Sequence, residues 1–164
     1  MSAVISVNRE DGTLDAQGET ALAEQVARTI PFHSTAPNPI QAARTRLIGN
    51  NDVKVAIHVS NFRPVKRVTA VIEVFDRIRR QVPAHLLMVG DGPDFDAASR
   101  LAHERGLDDR VHFLGEQDEV LPLLSIADVF LLPSAQESFG LAALEAMACE
   151  VPVVASRVGG LPEV

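Results

Sequence analysis

Two carboxylates eight residues apart, Glu137 and Glu145, flank Ser138-Phe139-Gly140-Leu141, and their spacing suits a ligand with hydroxyls at both ends and an anion between. The apolar run Val129-Phe130-Leu131-Leu132 leads towards them and breaks at Pro133-Ser134. The chain is therefore expected to leave a buried strand, turn, and enter a helix at about Ser138, a good N-cap type. At about 1.5 Å of rise per residue, the second carboxylate would stand about 12 Å along the axis, about the length of a sugar diphosphate. The unpaired backbone N–H groups of Ser138, Phe139 and Gly140 would lie between, where a helix N-terminus attracts phosphate, and Gly140 has no side chain to keep a ligand away. Two solvated charges on an ordinary surface helix are the plainer reading of the same residues.

A second cluster is cationic. Ser60-Asn61-Phe62-Arg63-Pro64-Val65-Lys66-Arg67 collects three cations in an otherwise acidic chain. A guanidinium can fork onto two phosphate oxygens, and an ammonium can follow the charge that grows on a leaving diphosphate. A solvated basic turn is the alternative. Gly90-Asp91-Gly92-Pro93 would let backbone come close to a ligand, although Asp-Gly-Pro is also a common turn. Gly115-Glu116-Gln117-Asp118-Glu119 could offer backbone groups to a nucleobase.

The elements that must position these loops follow from periodicity. Strands are expected over 53–59, 86–89, 111–114, 129–132 and 151–155. Helices are expected over 68–80, with Val71, Ile72, Phe75 and Ile78 inward, over 94–105 ending at Gly106, over 120–126, and after Ser138. Strands alternating with helices indicate an α/β, Rossmann-like parallel sheet covered on both faces, with right-handed crossovers. Ligands of such sheets bind at the carboxyl ends of the strands, which gathers the loops after Val59, Val89, Leu114 and Leu132 around one crevice.

The first fifty residues are less regular, a poorly defined segment before a Rossmann-like domain over 51–164. Ala3-Val4-Ile5-Ser6-Val7 suggests a short strand, and Leu22, Val26 and Ile30 a helix closed by Pro31. After a linker containing His33, Asn38 and Pro39 open a connecting helix that Gly49 stops. Among the other histidines, His58 alternates within a strand, His85 precedes one, His103 lies on a helix and His112 within another strand. None forms a pair at metal-ligand spacing, so core or surface roles are expected and no metal is implied.

Composition narrows the classes. The chain has 164 residues, 46% of them hydrophobic, enough for one domain with a real core. A net charge of −7 argues against a general nucleic-acid or membrane surface, so any anion site must be local. The lone Cys149 excludes an internal disulfide and reads as a small core residue. No signal peptide or long apolar span is visible, and a cytoplasmic protein is expected.

Glu137-x7-Glu145, followed by Ala146-Met147-Ala148 and Val151-Pro152-Val153-Val154-Ala155, resembles the signature of the family 4 retaining glycosyltransferases of the two-domain GT-B fold. The resemblance implies that Glu137 lies beside the donor hexose, that Glu145 binds the ribose hydroxyls, and that the helix N-terminus with Ser138, Phe139, Gly140 and Leu141 meets the diphosphate. Ile57 to Val68, together with Leu87 to Pro93 and Ser138-Phe139-Gly140-Leu141, is similar to members that pass N-acetylglucosamine from UDP-N-acetylglucosamine to L-malate with retention. Lys66 is then implied as the diphosphate lysine, with Gly90 and Gly92 at the donor. Many members have Arg where this chain has Asn61, and Arg63 is implied to do that work. No bound cofactor or metal is implied, only a UDP-sugar substrate. Glu150 stands where the family commonly has Gly, and if that position needs a positive φ it costs about 1 kcal/mol.

The resemblance also implies a front domain carrying the acceptor pocket, for which this chain has no room, and further elements after Gly159-Gly160-Leu161-Pro162-Glu163-Val164. The expectation is thus a donor-binding C-terminal half of a GT-B enzyme, itself incomplete, with no acceptor site of its own and with apolar surface open to self-association. A non-catalytic nucleotide or nucleotide-sugar module acting through a partner chain is the alternative. A doubly wound domain holding some other phosphate-bearing ligand is a third possibility.

Overall fold

The computed structural model describes residues 44–46, 48–49 and 52–163. The expected strand at 3–7, the helix closed by Pro31, His33 and the Asn38-Pro39 cap lie outside them. Residues 44–46 and 48 are helical, and Gly49, at φ 79°, donates its N–H to the Thr45 carbonyl at 2.8 Å, which ends the connecting helix where expected.

Five parallel strands form the sheet: β1 (Lys54–Val59), β2 (Ala84–Val89), β3 (Val111–Gly115), β4 (Val129–Leu132) and β5 (Val153–Ala155). Their order is β3-β2-β1-β4-β5. The connections carry α1 (Val68–Ile78), α2 (Phe95–Glu104), the single turn α3 (Leu121–Leu124) and α4 (Leu141–Ala148), with 3₁₀ turns at Pro64–Lys66 and Leu161–Glu163. The expected Rossmann-like α/β fold is present.

Successive strand residues point to opposite faces, so each apolar strand feeds two cores. Ala56, Leu86, Met88, Val129 and Leu131 pack with Val71, Ile72 and Phe75 of α1 and Ala98 and Ala102 of α2. Val55, Ile57, Leu87, Phe130 and Leu132 pack on the other face with Leu124 of α3 and Ala143 and Ala146 of α4. All four residues of β4 are buried, which is why that strand reads as an unbroken apolar run.

Buried charge pins the start of the sheet. Asp128, fully buried just before β4, accepts the Val55 N–H at 2.7 Å and pairs with Arg44 and with Lys54. Arg44 also donates to the Val53 carbonyl at 2.6 Å. One carboxylate thereby joins the connecting helix, β1 and β4, and its charge is matched in place, as burial requires.

Helix α4 ends in a left-handed cap at Glu150, φ 61°. The Glu150 N–H bonds the Met147 carbonyl at 2.9 Å and the Val151 N–H bonds the Ala146 carbonyl at 2.9 Å, the paired pattern that normally takes glycine. The positive φ foreseen for this position is therefore real. Because Glu150 is exposed, Glu150→Gly loses little contact. It is expected to raise stability by about 1 kcal/mol and the unfolding midpoint by about 3 °C. Thermal and urea unfolding measure this, and a midpoint equal to or below that of the unsubstituted chain would contradict it.

Candidate functional site

Strand order reverses between β1 and β4. The crossover after β1 leaves over the face covered by α1 and α2, whereas the chain after β4 enters α4 on the opposite face. The loops over 60–67 and 133–140 therefore start side by side at the carboxyl end of the sheet, where open α/β sheets bind ligands.

Three ties hold these loops together. At the base, His58 of β1 is fully buried, with Nδ1 2.8 Å from the Leu131 carbonyl of β4 and Nε2 2.7 Å from Ser60 Oγ. The carbonyl can only accept, so Nδ1 carries the hydrogen and Nε2 accepts from the serine hydroxyl. Burial, reinforced by the nearby Lys66 charge and opposed by the bond to Leu131, pushes the His58 pKa down to about 4, so the ring is neutral near pH 7. Midway, Ala135 donates its N–H to the Val65 carbonyl at 2.7 Å. At the tip, Lys66 Nζ lies 2.5 Å from Glu137 Oε2, and the side chains are 20% and 13% exposed. Ser134, fully buried, places its Oγ 3.4 Å from the same oxygen.

Local sequence explains how Lys66 gets there. Phe62, at φ 30° and fully buried, packs its ring 6.1 Å from His58 and 6.3 Å from Phe95, anchoring the loop. Pro64 opens the 3₁₀ turn and Arg67, in the left-handed region at φ 52°, closes it with its N–H on the Pro64 carbonyl. Lys66 is thus drawn to the neighbouring loop, while Asn61 and Arg63 stand exposed.

Gly90 and Gly92 let the cation loop come close. A Cβ on Gly90 would lie 1.8 Å from the Ser60 carbonyl oxygen, and one on Gly92 2.4 Å from that of Asn61. The close approach these glycines permit is that of the cation loop, which the Asp94 N–H also holds through the Phe62 carbonyl at 3.0 Å. Gly90 in turn donates to the Gly115 carbonyl at 2.8 Å, so the second and third loops stand behind the first.

The helix start also differs. α4 begins at Leu141 with Gly140, φ 81°, at its N-cap, and Ser138 makes no cap. Residues 137–140 are held out of helix by the chain after β5. A Cβ on Gly159 would fall 1.8 Å from the Glu137 carbonyl oxygen, one on Gly160 2.4 Å from that of Ser138, and the Gly160 N–H bonds Glu137 at 3.2 Å. A Cβ on Gly140 would meet Leu161 at 2.5 Å, so its bare side faces that leucine. The Ala143 and Leu144 N–H groups bond the Gly140 carbonyl, so the first-turn N–H groups left are those of Leu141 and Ala142. Only the four residue steps from Leu141 to Glu145 contribute helical rise, about 6 Å, so the glutamates are not spaced about 12 Å along one axis. Glu145 is exposed one turn after Leu141, and Phe139 and Leu141 are 55% and 66% exposed beside the site.

The histidines are closer than their sequence positions suggested. Nδ1 of His85 lies 2.7 Å from Nε2 of His112, with the rings stacked 5.0 Å apart. Burial lowers both pKa values, and the neighbouring ring lowers that of His85 further. Two residues apart in cross-strand register, the pair had no local signal. Among the described residues no three His, Cys, Asp or Glu side chains gather to hold a metal, and no helix is long and apolar enough to cross a membrane. What the sequence did not announce is the His58–Ser60 tie, the buried Ser134 beside Glu137 and the seating of 137–140 by Gly159 and Gly160; of these only the Gly-Gly pair carried a turn signal.

Comparison with known proteins identifies the family. The chain is 54% identical over 111 residues to N-acetyl-alpha-D-glucosaminyl L-malate synthase of Bacillus anthracis, covering 68% of this chain and 29% of that protein. It is 36% identical over 134 residues to D-inositol 3-phosphate glycosyltransferase of Mycolicibacterium smegmatis, covering 77% and 30% respectively. It thus spans less than a third of either relative. The crystal structure of Anabaena HepE in complex with UDP matches with a TM-score of 0.69 at 31% identity, over 79% of this chain and 36% of that one. The family described as glycosyl transferases group 1 matches residues 40–164, and to that family, whose solved neighbours here are GT-B glycosyltransferases, this chain belongs.

Proposed function

We propose that this domain binds the UDP-sugar donor of a retaining glycosyltransferase, and that the whole enzyme passes N-acetylglucosamine from UDP-N-acetylglucosamine to L-malate. The observation that carries the reading is the Lys66–Glu137 pair at the point where strand order reverses. The malate synthase of Bacillus anthracis supports the choice of sugar and acceptor, and the UDP complex of HepE supports the choice of base.

In this reading Lys66 takes the diphosphate, with the exposed Arg63 reaching in from the same loop. The Leu141 and Ala142 N–H groups and the backbone from Ser138 to Leu141 supply further donors to phosphate. Glu137 receives hydroxyls of the hexose and Glu145 those of the ribose, while Asn61, Gly90 and Gly92 shape the wall beside the phosphates. Glu137 pairs with Lys66 and offsets its charge. A diphosphate carries more charge than one carboxylate and can take the ammonium, which releases Glu137 to accept from sugar hydroxyls. As the bond from the anomeric carbon to the diphosphate oxygen breaks, Lys66 stabilises the growing charge, and the acceptor attacks from the face that UDP leaves. These cationic and N–H groups do the work at the diphosphate without a divalent ion.

UDP is expected to raise the unfolding temperature, since a ligand of the folded state stabilises it by mass action. Lys66→Ala should weaken UDP about tenfold or more and uridine far less; equal losses would remove Lys66 from the phosphate role. Glu145→Gln should weaken UDP and uridine alike. Glu137→Gln should leave UDP as tight or tighter, because Lys66 loses its internal competitor, while abolishing the preference for UDP-N-acetylglucosamine over UDP. A loss of UDP affinity in that variant contradicts the assignment. EDTA should change none of these affinities.

Calorimetry with UDP-N-acetylglucosamine, UDP-glucose, GDP-mannose and UDP tests the donor. Release of UDP from UDP-N-acetylglucosamine by the whole enzyme should require L-malate and yield the α-glycoside. Equal rates with unrelated hydroxy acids, or with none, would overturn the acceptor.

A further inference from the structure

We propose that His58 is a positioning residue which, through Ser60, sets the loop carrying Lys66 against the loop carrying Glu137. This rests on the reading of Lys66 as a diphosphate ligand. The imidazole bridges two groups of opposite demand, donating from Nδ1 to the Leu131 carbonyl and accepting at Nε2 from Ser60 Oγ. No aliphatic or aromatic core residue could make both bonds. Ser60 is also gripped through its backbone, its N–H bonding the Val89 carbonyl at 3.1 Å and its own carbonyl lying where a Cβ on Gly90 would stand. The first residue of the cation loop is therefore referred to β1, β2 and β4 together. From there Phe62, Pro64 and the left-handed Arg67 leave little slack before Lys66. Lys66 also lies near enough for its charge to help keep His58 neutral.

A ring that only filled space would be replaceable by another ring. Positioning instead requires the hydrogen-bond polarity, and its loss should appear at the phosphates before it appears at the base or ribose.

The experiment is calorimetry of the whole chain with UDP and with uridine, beside thermal unfolding. Ser60→Ala and His58→Phe should each lower UDP affinity about tenfold, the scale of one lost hydrogen bond, with uridine nearly unchanged. His58→Gln can still donate to Leu131 and accept from Ser60, and should retain the preference for UDP. Nitrogen-15 NMR should show His58 protonated at Nδ1 near neutral pH. Parallel losses of UDP and uridine, or unchanged affinity in Ser60→Ala, would overturn the inference. So would an unchanged His58→Phe alongside a weakened Ser60→Ala, since that outcome puts the serine hydroxyl on the ligand itself. If the unsubstituted chain shows no preference for UDP over uridine, the donor-site reading fails first and takes this one with it.

Discussion

The constraint on which the structure depends is the reversal of strand order between β1 and β4. Two neighbouring parallel strands whose chains depart over opposite faces leave a gap at their carboxyl ends, which a ligand can occupy. Everything particular to this site is a means of fixing that gap. His58 bonds across it at the strand ends, Val65 and Ala135 cross it through backbone, and Lys66 and Glu137 close it at the tip. Behind it, Gly90 and Gly92 let one loop sit on the sheet, and Gly159 and Gly160 do the same for the other.

What could be read in the sequence was what is local. β4 stands out because every residue of Val129–Leu132 is buried and Pro133 follows. The amphipathic face of α1 declared Val71, Ile72, Phe75 and Ile78, and all four are buried. Helix α4 was foreseen but placed too early, because Ser138 has good cap chemistry while Gly140 and the distant Gly159-Gly160 pair hold 137–140 out of helix. Here tertiary contact overrode local propensity. The glycines of 90–93 were visible as glycines, but their neighbour was not, since only the fold puts the Ser60 and Asn61 backbone against them. Lys66 and Glu137 lie 71 residues apart, and no pattern in either segment announces that they meet.

The unusual backbone is concentrated where the site is. Of the non-glycine residues at positive φ among those described, Phe62 and Arg67 bracket the cation loop, and Glu150 ends the helix that follows Glu137. Such conformations each cost about 1 kcal/mol or more and persist where surrounding structure dictates them. Phe62 recovers that cost through complete burial of its ring. Neutral His58 adds another: between its ordinary pKa of 6.5 and about 4, the folded chain binds fewer protons than the unfolded one. Its contribution to stability is therefore full above pH 6.5 and is lost as pH falls towards 4.

The ion pair at the tip also bears on the kinetics of encounter. A free lysine at the mouth of a cleft would pull on a dianion across a Debye length, but one held 2.5 Å from a carboxylate presents little net field at that range. With the chain as a whole at −7, the proposed nucleotide diphosphate would meet mild repulsion until it reached the loop itself. Arg63 of that loop is exposed and would be the cation it first encounters. Under the proposed donor reading, capture and holding would be divided between two side chains of one loop: the arginine would govern the rate of arrival and its salt dependence, and the lysine, once exchanged from Glu137, the rate of departure.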